Sequence, residues 1–261
     1  FTYVHNELTM DNFHQREKDI YLITVQQSPQ SQVELMAASR SFDFNFKEYP
    51  EIESLTRLQK YNKNRLKFVV GESVYSPEGL IADSSFFKVF DFKLKIGDET
   101  TILSEPGAVI LTEELAKKIF SKENPIGKNI EVIDRRGHIF TVKGIVETPP
   151  SNSSIKFDFI LSRGYRGFSV SGADFILANS IFNPDKFSEK IKDIGHSHFQ
   201  YKQSVSGVIA LDDMYFDSGE IGVKSIFSRA GDKGSVRTLL VIIAVIFIIS
   251  ILNFSNLQII Q

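Results

Sequence analysis

Cysteine and tryptophan are both missing from the 261 residues. Without a thiol there is no disulfide, no thiolate nucleophile and no cysteine-ligated zinc. Charge of one sign is missing too: 30 lysines and arginines stand against 32 acids, for a net charge of -2. A chain so balanced lacks the concentrated cationic surface on which nucleic-acid binding rests. Phosphate-binding loops are also absent, because Gly127-Lys128 is followed by Asn129 and Gly231-Asp232-Lys233-Gly234 has the wrong spacing. Any ATP hydrolysis therefore belongs to another chain or domain, and no G-x-S-x-G elbow supplies a serine nucleophile. No charged, apolar and small-residue leader pattern opens the chain. It starts at Phe1 rather than Met, which predicts a fragment or a processed product.

What is present is ordinary for a globular protein, with 42% hydrophobic and 24% charged residues. The length allows one large or two small domains with real cores. Phenylalanine is abundant at 23, a skew for which composition alone gives no reason. The tail departs from this average. Residues 238–260 read TLLVIIAVIFIISILNFSNLQII without one charge, and an uncharged apolar run of about 18 or more is a membrane-span candidate. Arg229, Lys233 and Arg237 flank it as interfacial anchors would. Asn253, Ser255, Asn256 and Gln258 dilute its last turns, so a buried core helix stands as the alternative.

The most informative stretch is 105–162. An apolar run, 108–111, stops at Thr112, a good helix N-cap, and Glu113 and Glu114 follow where carboxylates suit the positive end of a helix. Leu115/Ile119 and Ala116/Phe120 are i,i+4 pairs on one apolar face. The turn Asn124-Pro125-Ile126-Gly127 ends the helix, since Pro125 has no backbone donor and Gly127 tolerates positive φ. Strands are predicted at 129–133 and 139–146, joined by the hairpin loop Asp134-Arg135-Arg136-Gly137. Thr148-Pro149-Pro150-Ser151-Asn152 closes a strand–helix–hairpin unit that contains no reactive constellation.

These residues also carry a resemblance. The order LTEELAKKIF, ENPIGK and TVKGIVETPPSNSSIKFDFILS resembles the MacB-like periplasmic core domain of FtsX-type ABC transporter permeases. Upstream, IADSSFFKVFDFKLKIGD at 81–98 resembles the strand and helix that precede it in that family. The matching positions are Asp83, Phe86, Phe87, Glu113, Asn124, Pro125, Gly127, Lys128, Gly144, Pro149, Pro150, Lys156 and Asp158, taken as structural signature residues. Tyr3, Val4, Glu7, Leu8, Asp11, Phe13 and His14 match the segment that follows the family's first membrane helix, which implies such a helix upstream of Phe1. By themselves, Val4, Leu8 and Phe13 are spaced to share a helical face, and His14 reads as a surface or capping histidine.

Elsewhere a coarse pattern repeats. A strand at 20–26 is followed by a polar stretch, 27–41, part loop and part helix start, then by a short helix at 42–48 that must end before Pro50, and by a strand at 52–60. Downstream comes a strand at 174–182, then a helix capped by Asn183 with Pro184 at its first position, running to Gly195, then a strand at 199–209. The expected fold is α+β. The resemblance divides it into a porter-like subdomain of two βαβ-like halves, interrupted by a β-rich Sabre-like subdomain and followed by a C-terminal membrane helix. The corresponding spans are 1–65, 66–163, 164–236 and 237–261.

Two clusters invite chemistry. His196-Ser197-His198 on a strand puts both rings on one face, but a metal also needs a third and fourth ligand, which Asp212, Asp213 or Asp217 would have to fold back to supply. Histidines just past a helix commonly interact with its last carbonyls instead. Asp212, Asp213, Asp217 and Glu220 could serve as acid and base only in a cleft that drives their pKa values apart. The resemblance makes that segment a solvated loop on a strand returning to the membrane.

The resemblance implies a non-catalytic permease part at the bacterial inner membrane, its bulk periplasmic, that converts cytoplasmic ATP hydrolysis into periplasmic movement without a cofactor. It implies an ATP-binding subunit, a second permease half or a homodimer, a periplasmic adaptor with an outer-membrane channel, and lipid around the C-terminal helix. Gly231 and Gly234 would form the coupling joint. The residues leave open a membrane-anchored metallohydrolase built on His196, His198, Asp212 and Asp213, and a ligand-sensing ectodomain.

Overall fold

A computed structural model describes residues 2–26, 33–35, 46–61, 65–133, 137–163, 172–192, 205–217 and 231–259. One mixed sheet of 13 strands runs through it. At one end lie β1 (Ile20–Gln26), β3 (Ile52–Tyr61), β12 (Ala173–Ala178) and β13 (Val205–Ala210), in the order β13-β1-β12-β3. β1 is antiparallel to β12 and β13, and β12 is antiparallel to β3. Counted among themselves, the four follow the order fourth, first, third, second, which is the split βαβ arrangement of ferredoxin-like folds. The two halves are interleaved, so the parallel strands of one half are separated by a strand of the other.

Between β3 and β12 the chain leaves to build the rest of the sheet. This part comprises β4 (Lys67–Val70), β5 (Ser73–Tyr75), β6 (Gly79–Ala82), β7 (Leu94–Ile96), β8 (Ala108–Thr112), β9 (Asn129–Ile133), β10 (Gly137–Val146) and β11 (Phe159–Ser162). The order continues β3-β6-β11-β8-β10-β9-β4-β5, with β7 beside β10. A short β2 (Val33–Leu35), which the polar composition of 27–41 hides, pairs with Thr24–Gln26 of β1, beyond the Ile20–Leu22 stretch paired to β12.

Local signals account for the helices. Thr112 Oγ1 accepts the N–H of Leu115 at 3.3 Å and starts α3 (Glu113–Phe120), after α1 (Thr2–Leu8) and α2 (Phe86–Val89). Asn183 Oδ1 accepts the N–H of Lys186 at 2.9 Å and starts α4 (Pro184–Ile191) with Pro184 in its first turn. Each cap satisfies a donor that the helix cannot satisfy internally. α3 stops at Phe120, earlier than the Asn124–Gly127 turn requires, because Ser121 adopts φ 56°.

The sheet is covered on both faces at the β1–β12 end. Ile23, Val25 and Ile176 pack on one face with Phe187 and Ile191 of α4. Leu22, Phe175 and Leu177 pack on the other with α2 and with Leu211 and Met214. That second cluster continues without a break into Ile110, Val146 and Ile160 of the inserted strands. Its centre is aromatic: Phe86 stacks on Phe92 at 5.6 Å, Phe92 meets Phe157 edge-on at 5.0 Å, and Phe90 meets Phe175 at 5.3 Å. The phenylalanine-rich composition thus has a place to go.

Three expectations need correction. Asp212 and Asp213 lie not in a loop but at the start of a helix, α5 (Leu211–Asp217), formed because Leu211, Met214 and Tyr215 bury at i, i+3, i+4 while the two acids stay exposed. Leu8 is 56% exposed; the buried positions near it are Glu7, Met10, Asp11 and His14, so His14 is no surface residue. Of the helix expected at 42–48, only Phe46–Glu48 is described, and it forms a single 3-10 turn. The tail forms α6 (Lys233–Ile259), whose 27 residues at a rise of about 1.5 Å extend about 40 Å. Its apolar side chains from Leu240 to Leu252, and that of Phe254, stand largely exposed.

Candidate functional site

The signature residues are dispersed over helices, strands and turns, and each is engaged where it stands. Asp83 accepts from Thr56 Oγ1 at 2.8 Å, from the N–H of Arg57 at 2.9 Å and from the N–H of Ser85 at 3.1 Å, tying β6 to β3 at the start of α2. Phe86 and Phe87 bury in the aromatic cluster. Glu113 pairs with Lys95 at 2.8 Å. Asn124 Oδ1 accepts from the N–H of Ile126, Pro125 O accepts from the N–H of Lys128, and Gly127, at φ 82°, donates to Val142 O at 2.8 Å. Lys128 pairs with Glu123 and lies 5.2 Å over the ring of Phe120. A methyl group on Gly144 would fall 2.6 Å from Ile96 O, where β7 crosses close to β10. Lys156 donates to the carbonyls of Pro149 and Pro150, and Asp158 accepts from the N–H of Glu78 at 3.0 Å.

His196 and His198 lie outside the described residues, and among the described residues no group of three or more metal-type side chains is placed to hold an ion. Asp212 and Asp213 border an open groove of about 500 Å³ with Lys18, Tyr21 and Pro184. A buried ion pair lies in the sheet instead. Asp174, fully buried on β12, takes a two-pronged grip from Arg57 of β3, Nη2 to Oδ2 at 2.7 Å and Nε to Oδ1. Burial raises the Asp174 pKa despite that partner, and burial lowers the pKa of nearby Arg163.

Residues far apart in sequence converge where α6 leaves the domain. Gly231 donates its N–H to Tyr215 O at 2.8 Å, and Val236 is buried. A methyl group on Gly231 would collide with the Tyr215 ring and approach Phe216 to 2.8 Å, so only glycine fits this closely against α5. Gly234, by contrast, sits in the first turn of α6, where Asp232 caps the helix by accepting from the N–H of Gly234 at 2.8 Å and from Ser235 Oγ at 2.6 Å. Tyr215 Oη donates to Glu7 Oε2 at 2.7 Å, and both side chains are buried. α1 packs against α6 as well. The first helix and the root of the last meet here, at a packed elbow.

From this elbow the N-terminal segment reaches into the loops between the inserted strands. Asp11, at φ 59°, donates its N–H to Asn152 O at 2.7 Å and accepts the N–H of Ser154 on Oδ1 at 2.8 Å. Asn152 returns the contact, donating to Thr9 O at 2.7 Å and Asn12 Oδ1 at 3.0 Å. His14 Nδ1 accepts the N–H of Asp91 at 3.0 Å, and its ring lies among Phe13, Phe90 and Phe92 at 4.0–5.4 Å. Burial lowers the His14 pKa from 6.5 to about 3, so the ring is neutral and the Asp91 carboxylate 3.7 Å away makes no ion pair with it. Burial raises the Asp11 pKa from 3.8 to about 6, outweighing the Ser154 hydrogen bonds and the charge of Lys156. The sequence matched Glu7, Asp11 and His14 to the family without indicating that they are buried, and it gave Tyr215 no role. The spacing 7, 10, 11, 14 was the available signal, masked by the polarity of three of the four.

A mixed-sheet domain joined through a packed elbow to an apolar helix of membrane-crossing length has the build of a membrane-attached domain. The family model described as MacB-like periplasmic core domain matches residues 1–194. The chain belongs to the MacB-like periplasmic core domain family, and so to the periplasmic domains of ABC-type transporter permeases. No curated protein matches it. Among solved structures it is similar to a domain of a candidate permease protein from Porphyromonas gingivalis, with 19% identity, a TM-score of 0.58 and coverage of 76% of this chain and 92% of that one. It is similar to the periplasmic region of MacB from Actinobacillus actinomycetemcomitans, at 18% identity, TM-score 0.54 and coverages of 76% and 91%. It also matches the extracellular domain of the noncanonic ABC-type transporter YknZ from Gram-positive bacteria, at 11% identity, TM-score 0.53 and coverages of 73% and 99%. At these identities the likeness concerns the fold.

Proposed function

We propose that this domain is a non-catalytic lever of an ABC exporter. The α6 helix lies in the inner membrane, and the sheet stands in the periplasm. An ATP-binding subunit on the cytoplasmic side drives α6, and the domain turns that displacement into periplasmic movement of cargo. A second permease half or a second copy completes the pair, and a periplasmic adaptor with an outer-membrane channel receives what is moved. Porter-like halves (1–65 and 164–236) transmit, and the inserted unit 66–163 meets partners. The signature residues, Asp83 to Asp158, keep the turns of that unit in register.

The observation that carries this reading is the elbow. A lever needs stiff contact between its driven helix and its body, and Gly231, Tyr215 and Glu7 supply buried, hydrogen-bonded contact at that point. α5 follows β13 without a spacer, so displacement of α6 bears directly on an outer strand of the sheet. Inserting about six to ten Gly/Ser residues between Asp232 and Lys233 in the complete transporter gives chain ends that wander by about 5–6 Å × √n, enough to absorb a displacement of several ångströms. Assembly and ATP hydrolysis are expected to persist while export falls to that of a hydrolysis-dead control. Undiminished export by a well-expressed insert would sink the lever. A metallohydrolase or a sensor would tolerate the insert, since neither needs force from the helix.

A further inference from the structure

The N-terminal segment is held at two ends by different parts of the molecule. At the membrane end, Glu7 is bound by Tyr215 of α5, which is also the residue that receives Gly231 at the root of α6. At the far end, Asp11 donates to Asn152 O, Asn152 donates to Thr9 O and Asn12 Oδ1, Ser154 donates to Asp11, and Asp91 donates to His14. Asn6 adds a donor to Ser151 Oγ at 3.4 Å, and Gln15 donates its N–H to Asp91 Oδ2 at 2.9 Å. All of these far-end partners belong to the segment 66–163 inserted between β3 and β12. The contacts are too many for a chain that merely passes over the surface, and two of them, Tyr215 to Glu7 and Ser154 to Asp11, are buried.

We propose that residues 6–15 are a strut that ties α6 to the inserted unit along a route separate from the sheet, with the Tyr215–Glu7 hydrogen bond as its latch. For the source of motion this rests on the lever reading; the attachment itself does not. A buried hydrogen bond with a carboxylate acceptor is worth enough that losing its donor raises an undocked population on the order of tenfold. Tyr215→Phe removes one hydroxyl and keeps the ring against Gly231. It therefore weakens the hold of the elbow on α1, which keeps its packing against α6, while the Asp11–Asn152 staple still holds the far end.

The test uses the complete transporter in nanodiscs, with pairs of spin labels on introduced cysteines; these 261 residues bring no thiol of their own. One pair, Leu8→Cys with Arg237→Cys, spans the latch, and another, Leu8→Cys with Lys93→Cys, spans the staple; all three sites are exposed. The parent is expected to give narrow distance distributions for both pairs. In Tyr215→Phe the latch pair broadens and the staple pair stays narrow, while unfolding temperature and ATP hydrolysis hold. Glu7→Ala, which removes the acceptor instead, gives the same pattern. Glu7→Gln keeps a carbonyl acceptor and stays narrow. A latch pair as narrow in Tyr215→Phe and Glu7→Ala as in the parent overturns the strut. Trapping with ATP and vanadate is read separately, from Arg237→Cys labels in the two permease halves. If that distance does not change, the lever fails while the latch result stands.

Discussion

The buried pair Asp11 and His14 makes the stability of this domain respond to acid in a way that can be worked out group by group. Asp11 has its pKa raised from 3.8 to about 6 by burial. Between those values the folded state binds a proton that the unfolded state does not, so its contribution is full below pH 3.8 and is lost as pH rises through about 6. The interval is about two pH units at about 1.4 kcal/mol each, or about 3 kcal/mol. His14 has its pKa lowered from 6.5 to about 3, so its contribution is full above pH 6.5 and is lost as pH falls towards 3. That interval amounts to about 5 kcal/mol in total. Between about pH 4 and 6 the two slopes are opposite and nearly equal, and the parent is flat with respect to this pair. Asp11→Asn suits the left-handed backbone at that position and removes only one slope. From pH 6 to 4 it is expected to lose about 3 kcal/mol more than the parent, and His14→Gln to gain about 3 kcal/mol over the same interval. The chain has no tryptophan to report unfolding. The assay is therefore urea unfolding in detergent followed by far-UV circular dichroism, with midpoints taken at half-unit steps of pH. Parallel profiles for parent and Asp11→Asn would refute the burial argument.

Two further outcomes test the elbow and the sheet. Gly231→Ala drives a methyl group into Tyr215 and Phe216, and such overpacking costs about 1–3 kcal/mol, whereas Gly234→Ala, facing only Asp232 Oδ1 at 3.2 Å in a helical turn, should be neutral or stabilising by up to about 1 kcal/mol; equal effects in thermal unfolding would contradict the packed elbow. Arg57→Ala leaves the fully buried Asp174 without its guanidinium, at an expected cost of about 3–5 kcal/mol, with Asp174→Asn milder; a loss under about 1 kcal/mol would show that the pair is not what fixes β3 against β12.

What the sequence determined by itself was decided within a few residues. Thr112 and Asn183 start helices because each oxygen reaches an orphan N–H three positions on. The strands 20–26 and 129–133 appear with the bounds their β-branched runs suggest. α6 follows from a charge-free run long enough to cross a bilayer. The family, too, was legible from motif order, because its turns are built from short local hydrogen bonds such as Asn124 to Ile126 and Pro125 to Lys128.

Only the tertiary structure decided the rest. The interleaving of the two βαβ-like halves depends on pairings such as Ala173 with Leu58, which no local pattern records. β2 forms because β1 has an open flank beyond Leu22, not because its own residues demand a strand. The burial of Glu7, Asp11 and His14 was not legible, since a polar side chain buries only where partners satisfy it. Their partners, Tyr215, Ser154 and Asp91, lie 208, 143 and 77 positions away. Gly231 shows the same division at one residue. As sequence it is half of a coupling joint with Gly234, and in the fold its missing side chain lets the root of α6 close against Tyr215.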